Sequence, residues 1–164
     1  NTTAAAAHRE CSGGREALSI RYQTVKTVTD PMADHRQLVA QLLEHQREHH
    51  YAEISSRQCL SGPHKDDLEV LLDGLSARSF ASQGQTRTAA LSLKLAAREI
   101  HREILGEYPV LLLDDVLSEL DPKRQEFVLN RIGGGQVFIT CCEEEKLEGL
   151  EGGKAFHVQG GSLI

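Results

Sequence analysis

Two acidic residues, Asp114 and Asp115, directly follow an unbroken apolar run, Val110-Leu111-Leu112-Leu113. Ligands of open α/β sheets sit at the carboxyl ends of strands. Adjacent carboxylates beside a buried strand are costly unless a cation offsets their charge. A hard cation such as Mg²⁺ is the partner this pair suits; the alternative is a pair of loop or helix-capping acids facing water. Upstream, Ser82-Gln83-Gly84-Gln85 opens a long helical pattern. The free N–H groups and dipole of a helix start attract anions. The same residues make a capping box, with Ser82 followed three positions later by Gln85, which needs no ligand. The two readings are compatible, because Gly84 lets a phosphate approach the backbone closely.

Other chemistry-bearing residues are less organised. His45 and His49 stand four apart with His50 beside them, a metal-compatible spacing without a third ligand, and they read as a solvated helix face. His64 follows Gly62-Pro63 and fits a turn. Arg87, Lys94, Arg98 and Arg102 align along one helix, but Glu99 and Glu103 interrupt them, so they too read as a solvated face rather than a nucleic-acid strip. The phosphate-cradling pattern GxxxxGKS/T is missing. Its nearest approximations are Gly133-Gly134-Gly135, without a Lys, and Gly152-Gly153-Lys154-Ala155, without the first Gly or the hydroxyl residue. The cysteines, Cys11, Cys59, Cys141 and Cys142, form neither a disulfide framework nor a zinc pair and read as reduced thiols in a cytoplasmic protein.

The elements that must position these residues follow from periodicity. With 164 residues, 40% hydrophobic and 26% charged, the chain is long enough for a substantial core. A formal net charge of -6 argues against nucleic-acid binding through bulk charge. No stretch approaches the roughly 18 apolar residues of a membrane span. Residues 1–14 read as a helix remnant or frayed start. Residues 17–28 alternate as a strand, and Asp34 caps an amphipathic helix through Leu38, Val39, Leu42 and Leu43. Leu68, Val70 and Leu72 alternate up to the hairpin dipeptide Asp73-Gly74, with a return strand expected over 76–80. A largely buried helix is expected over 84–105, stopped by Gly106, then a strand over 110–113 covered on both faces. Asp121-Pro122 opens another helix. Residues 136–140 form a further strand, and 154–158 with 162–164 a terminal hairpin. The strand–helix–strand order implies parallel pairing in an α/β layer.

In order and spacing, Ser82-Gln83-Gly84-Gln85, the long helix, Val110 to Asp115, and Ser118-Glu119-Leu120-Asp121 resemble the signature motif, Walker B strand and D-loop of ABC-type ATPases. The phrases Gly62-Pro63-His64-Lys65-Asp66-Asp67-Leu68, Phe80 to Arg87, and Gly106 to Asp121 are similar to the bacterial RecF family of SMC-like recombination mediators. The likeness is close from about residue 60 onward. It implies an α/β fold, a partial ABC/SMC-type ATPase lobe, with residues 1–57 as an arm from a lever-like second domain and 58–164 as the carboxyl-terminal lobe.

The resemblance also implies roles. Asp114 would hold Mg²⁺ through its water shell, and Asp115 would stand where related ATPases carry the Glu that polarises the attacking water. Ser82, Gly84 and Gln85 would contact the γ-phosphate of ATP bound to the other subunit of a head-to-head homodimer, with Asp121 at that interface. Thr140, at the position of a switch His in many ABC ATPases, would donate to a γ-phosphate oxygen. The Walker A half is expected in an amino-terminal portion outside this sequence, so the chain alone should be inactive and monomeric. Implied partners are gapped or double-stranded DNA, RecO and RecR, and indirectly RecA. The alternatives are another SMC-like DNA-tethering ATPase and a phospho-receiver signalling domain.

Overall fold

The computed structural model describes residues 1–164 except for the side chain of Glu119. The chain forms two compact units, one of Asn1 with residues 18–81 and the other of residues 2–17 with 82–164. The division expected at 57/58 falls inside the first unit, between its helix and the middle strand of its sheet.

In the first unit, β1 (Leu18–Gln23), β2 (Asp67–Leu72) and β3 (Leu75–Ser76) form an antiparallel sheet, with Leu18 opposite Leu72 and Ile20 opposite Val70. Asp73 and Gly74 both take positive φ, 49° and 81°, as the tight turn their sequence announces requires. The return strand is shorter than expected. Only Leu75 and Ser76 pair with β2, and Ala77–Phe80 coil into a helical turn, α3. That segment has no apolar alternation to hold it in a sheet, and Ala and Arg favour a helix. Helix α2 (His35–Ser56) starts at Asp34, whose carboxylate accepts from the N–H groups of Arg36 and Gln37.

The second unit holds the main core. Helix α1 (Thr2–Ser12) packs on α4 (Gln83–Leu105) through Ala4, Ala7, His8 and Cys11, a stripe at helical spacing made mostly of small residues. What reads as a helix remnant or a frayed start is an ordered helix over Thr2–Ser12 that packs on α4. After Gly106 ends α4 with φ of 80°, β4 (Leu111–Leu113) pairs in parallel with β5 (Val137–Ile139). Between these strands come a tight turn containing Leu117, helix α5 (Pro122–Glu126) and a wider helical turn over Phe127–Arg131. Leu91, Leu95, Leu111, Leu113, Leu117, Leu120 and Val128 bury together.

β4 departs from expectation. Leu111 and Leu113 are buried, but Leu112 is 70% exposed, so only one face of this strand is covered. The loop before β5 closes on Tyr108: Gly135 has φ of 63°, and a Cβ there would lie 2.6 Å from the Tyr108 Cβ. Arg98 donates to the carbonyls of Gly133 and Gly134 and stacks on the Tyr108 ring. These glycines therefore serve packing. Only Val158–Gln159 (β6) and Ser162–Leu163 (β7) of the expected terminal hairpin pair.

Candidate functional site

Parallel pairing sets Leu113 against Ile139, so the residues that follow each strand emerge side by side. The Thr140 N–H donates to the Leu113 carbonyl at 3.0 Å. The Thr140 hydroxyl donates to Asp114 Oδ1 at 2.5 Å, and its oxygen accepts the Asp115 N–H at 3.0 Å. Asp115 adopts φ of 48°, a left-handed conformation that Asp tolerates better than most residues. Ser118 Oγ donates to the Asp115 carbonyl at 2.9 Å, closing the turn behind it. Asp114, Asp115 and Thr140 are all exposed.

These residues fit a hard cation that brings most of its own ligands. Among the described residues no cluster of three or more His, Cys, Asp or Glu side chains gathers for a metal. Asp114 is exposed, with Thr140 bound to its Oδ1. Mg²⁺ commonly takes one or two carboxylates and fills its octahedron with waters and substrate phosphates.

A second group surrounds the start of α4. Ser82 Oγ accepts the Gln85 N–H at 3.3 Å, and Gln85 Oε1 accepts the Ser82 N–H at 2.7 Å, so the capping box is complete. Gln85 Nε2 donates to Glu16 Oε1 at 3.2 Å. The Gln85 side chain is thus engaged within the chain, and what the helix start presents outward is backbone N–H. A Cβ on Gly84 would meet only the Arg124 guanidinium, at an ordinary 3.6 Å. Internal packing therefore does not demand a glycine there, whereas close approach by a ligand does.

Asp121 caps α5: its Oδ1 accepts from the N–H groups of Lys123 and Arg124, both at 3.1 Å. Its Oδ2 pairs with Arg124 Nη1 at 3.2 Å and Arg15 Nη2 at 3.7 Å. Arg124 thereby connects Asp121 with Gly84.

The structure therefore brings Asp114, Asp115 and Thr140 into one cluster and Ser82, Gly84, Gln85 and Asp121 into another. Glu16, His8 and Arg124 escaped sequence reading. Glu16 lies 69 positions from Gln85, and no local pattern marks it.

Other expectations are corrected. Arg98 is 4% exposed, and Arg102 pairs with Glu99 while stacking on Tyr108, so the arginines of α4 do not share a solvated face. His45 is buried, not solvated, and its ring stacks on His49 at 4.0 Å. His64 Nε2 bonds the Cys59 carbonyl at 3.2 Å within its turn. Burial pushes the Cys11 thiol above its ordinary pKa of 9.0, against a hydrogen bond with Ser92 that lowers it.

A parallel strand pair with acids after its first strand, preceded by a long capped helix and joined through a second capped one, is a partial ABC/SMC-type ATPase lobe. The chain aligns over 99% of its length with "Structure of the recombination mediator protein RecF-ATPrS in RecFOR pathway", at TM-score 0.77 and 32% identity, covering 42% of that chain. The RecF-ATP structure aligns at 0.77 and 31%. No family model matches. The DNA replication and repair protein RecF of Lactobacillus johnsonii is 42% identical over 167 residues, 99% of this chain and 44% of that protein. That of Clostridium kluyveri is 45% identical over 134 residues, 82% of this chain and 35% of that protein. The chain belongs to the RecF family and corresponds to its carboxyl-terminal part, spanning less than half the length of these relatives. The phospho-receiver alternative is thereby removed.

Proposed function

We propose that this chain supplies one half of a composite ATPase site in a cytoplasmic DNA recombination and repair protein. The observation that carries the proposal is the Thr140 hydroxyl, which joins Asp114 and Asp115 at the carboxyl ends of two parallel strands. Relatives solved as RecF-ATPrS and RecF-ATP support a nucleotide as the ligand.

Catalysis of phosphoryl transfer is mostly positioning and electrostatics, so each residue's task follows from where it is held. Asp114 presents a carboxylate oxygen to the cation's water shell, and Thr140 fixes its rotation. Asp115 orients and polarises the attacking water, its backbone fixed by Thr140 on one side and Ser118 on the other. Bound Mg²⁺ would neutralise charge developing on the phosphate oxygens. The first turn of α4, with Ser82, Gly84 and its free N–H groups, faces the γ-phosphate held by another subunit of an ATP-dependent homodimer. In this reading the Gln85 side chain shapes that turn from within, and Asp121 sits at the subunit interface. The assembled protein binds gapped or double-stranded DNA and works with RecO and RecR to load RecA.

The test is ATP binding and turnover with Mg²⁺ by this chain alone and by the chain mixed with the amino-terminal lobe as a separate polypeptide. Silence alone and turnover on mixing, lost with Asp115→Asn, are expected. Tight ATP binding by the chain alone overturns the proposal.

A further inference from the structure

Glu16 lies in the link between α1 and β1, with its side chain 13% exposed. Its two carboxylate oxygens face different ways. Oε1 accepts from Gln85 Nε2 at 3.2 Å, and Oε2 lies 3.4 Å from His8 Nε2. His8 has no exposed surface, and its Nδ1 is 3.0 Å from Ser92 Oγ. Ser92 in turn donates to the Thr88 carbonyl at 2.6 Å. A line of polar groups thus leaves α4 at Gln85, crosses Glu16 and His8, and returns to the same helix two turns later.

This line dictates the orientation of the Gln85 amide. Its oxygen must face the Ser82 N–H and its nitrogen the Glu16 carboxylate; the flipped amide would set donor against donor and acceptor against acceptor. The carboxylate also stands beside the start of a 23-residue helix, where the dipole favours negative charge. The neighbouring Arg15 reaches Asp121, so one dipeptide touches both helix starts of the proposed site.

We propose that Glu16 is a positioning residue that locks the capping box of α4 and so sets the direction of its first-turn N–H groups. Its consequence for ATP turnover rests on the half-site reading above; its effect on the helix start does not.

Hydrogen exchange of this chain separates the two. Glu16→Ala should speed exchange of the Gln85 and Thr86 amides about fivefold, the scale of one lost hydrogen bond, with residues 95–100 unchanged. Glu16→Gln, whose amide oxygen still accepts from Gln85, should stay within about twofold of the parent. If Glu16→Ala does not fold, Glu16→Asp keeps the charge beside His8 but withdraws from Gln85 and must release the same amides. Unchanged exchange at Gln85 and Thr86 in every folded variant overturns the proposal. When the chain is mixed with the amino-terminal lobe, Glu16→Ala should lower kcat and leave KM for ATP in place. A parent mixture without turnover, together with the expected exchange pattern, would sink the half-site reading and leave the positioning role standing.

Discussion

Thr140 and Asp114 are 26 positions apart in sequence and 2.5 Å apart across two parallel strands, and the same hydroxyl oxygen takes the Asp115 N–H. One side chain from β5 therefore fixes both acids delivered by β4. Its proton is committed to Asp114, so a γ-phosphate oxygen would have to compete with that carboxylate for it.

Thr140→Val keeps the shape and removes the bridge. Because both partners are exposed, the loss of stability should be about 0.5–1.5 kcal/mol, read by urea unfolding. Thr140→Ser should recover most of it, since the hydroxyl remains. A Val variant as stable as the parent would show that the bridge is replaced by water at no cost.

The loop before β5 gives a larger effect. Gly135→Ala adds a Cβ 2.6 Å from Tyr108 Cβ at a backbone φ of 63°. Crowding and conformational strain both act, and a loss of about 2–4 kcal/mol is expected. Combining it with Tyr108→Gly, which removes that Cβ along with the ring, relieves this crowding but not the strain, so the two changes should be clearly non-additive in thermal unfolding.

Elements with strong local signals were legible in the sequence. Asp34, Asp121 and Ser82 cap where their spacing says, and the Asp73-Gly74 turn sits between paired strands. The parallel pairing of β4 and β5 also followed from element order, and the acids after β4 could be singled out. What stayed hidden depends on tertiary partners. An alanine-rich segment shows little hydrophobic period, yet Ala4 and Cys11 bury against α4 because small side chains let two helices come close. Leu112 looks like core by composition and is exposed, since a strand's neighbours, not its residues, decide which faces are covered. Arg98 reads as a surface cation but ends among loop carbonyls. Glu16 has no sequence signal because its meaning lies in the His8 and Gln85 that flank it only in the fold.

The cysteines should separate by accessibility. Cys59 and Cys142 are exposed, Cys141 is partly buried, and Cys11 is 4% exposed with its thiol pKa raised by burial. Thiol titration at pH 8 should show fast modification of Cys59 and Cys142, slower reaction of Cys141, and reaction of Cys11 only on unfolding. The raised pKa also has a sign for stability. The folded state holds the Cys11 proton more tightly than the unfolded chain, so the contribution is complete below about pH 9.0 and is lost as pH rises further. Cys11→Ala should flatten that alkaline decline.

Asp115 allows backbone and chemistry to be separated. At φ of 48° a β-branched side chain is strained, and Asp115→Val should lose about 1–2 kcal/mol. Asn accepts the same conformation, and glycine adopts it freely, so Asp115→Asn and Asp115→Gly should unfold at or slightly above the parent's midpoint in urea. Both lack the carboxylate. In the mixture with the amino-terminal lobe they should therefore bind ATP normally and turn it over at least about a hundredfold more slowly, the scale of a lost base or water-orienting group. Turnover retained in Asp115→Asn would move the water-positioning role to another acid and leave Asp115 a turn residue chosen for its backbone.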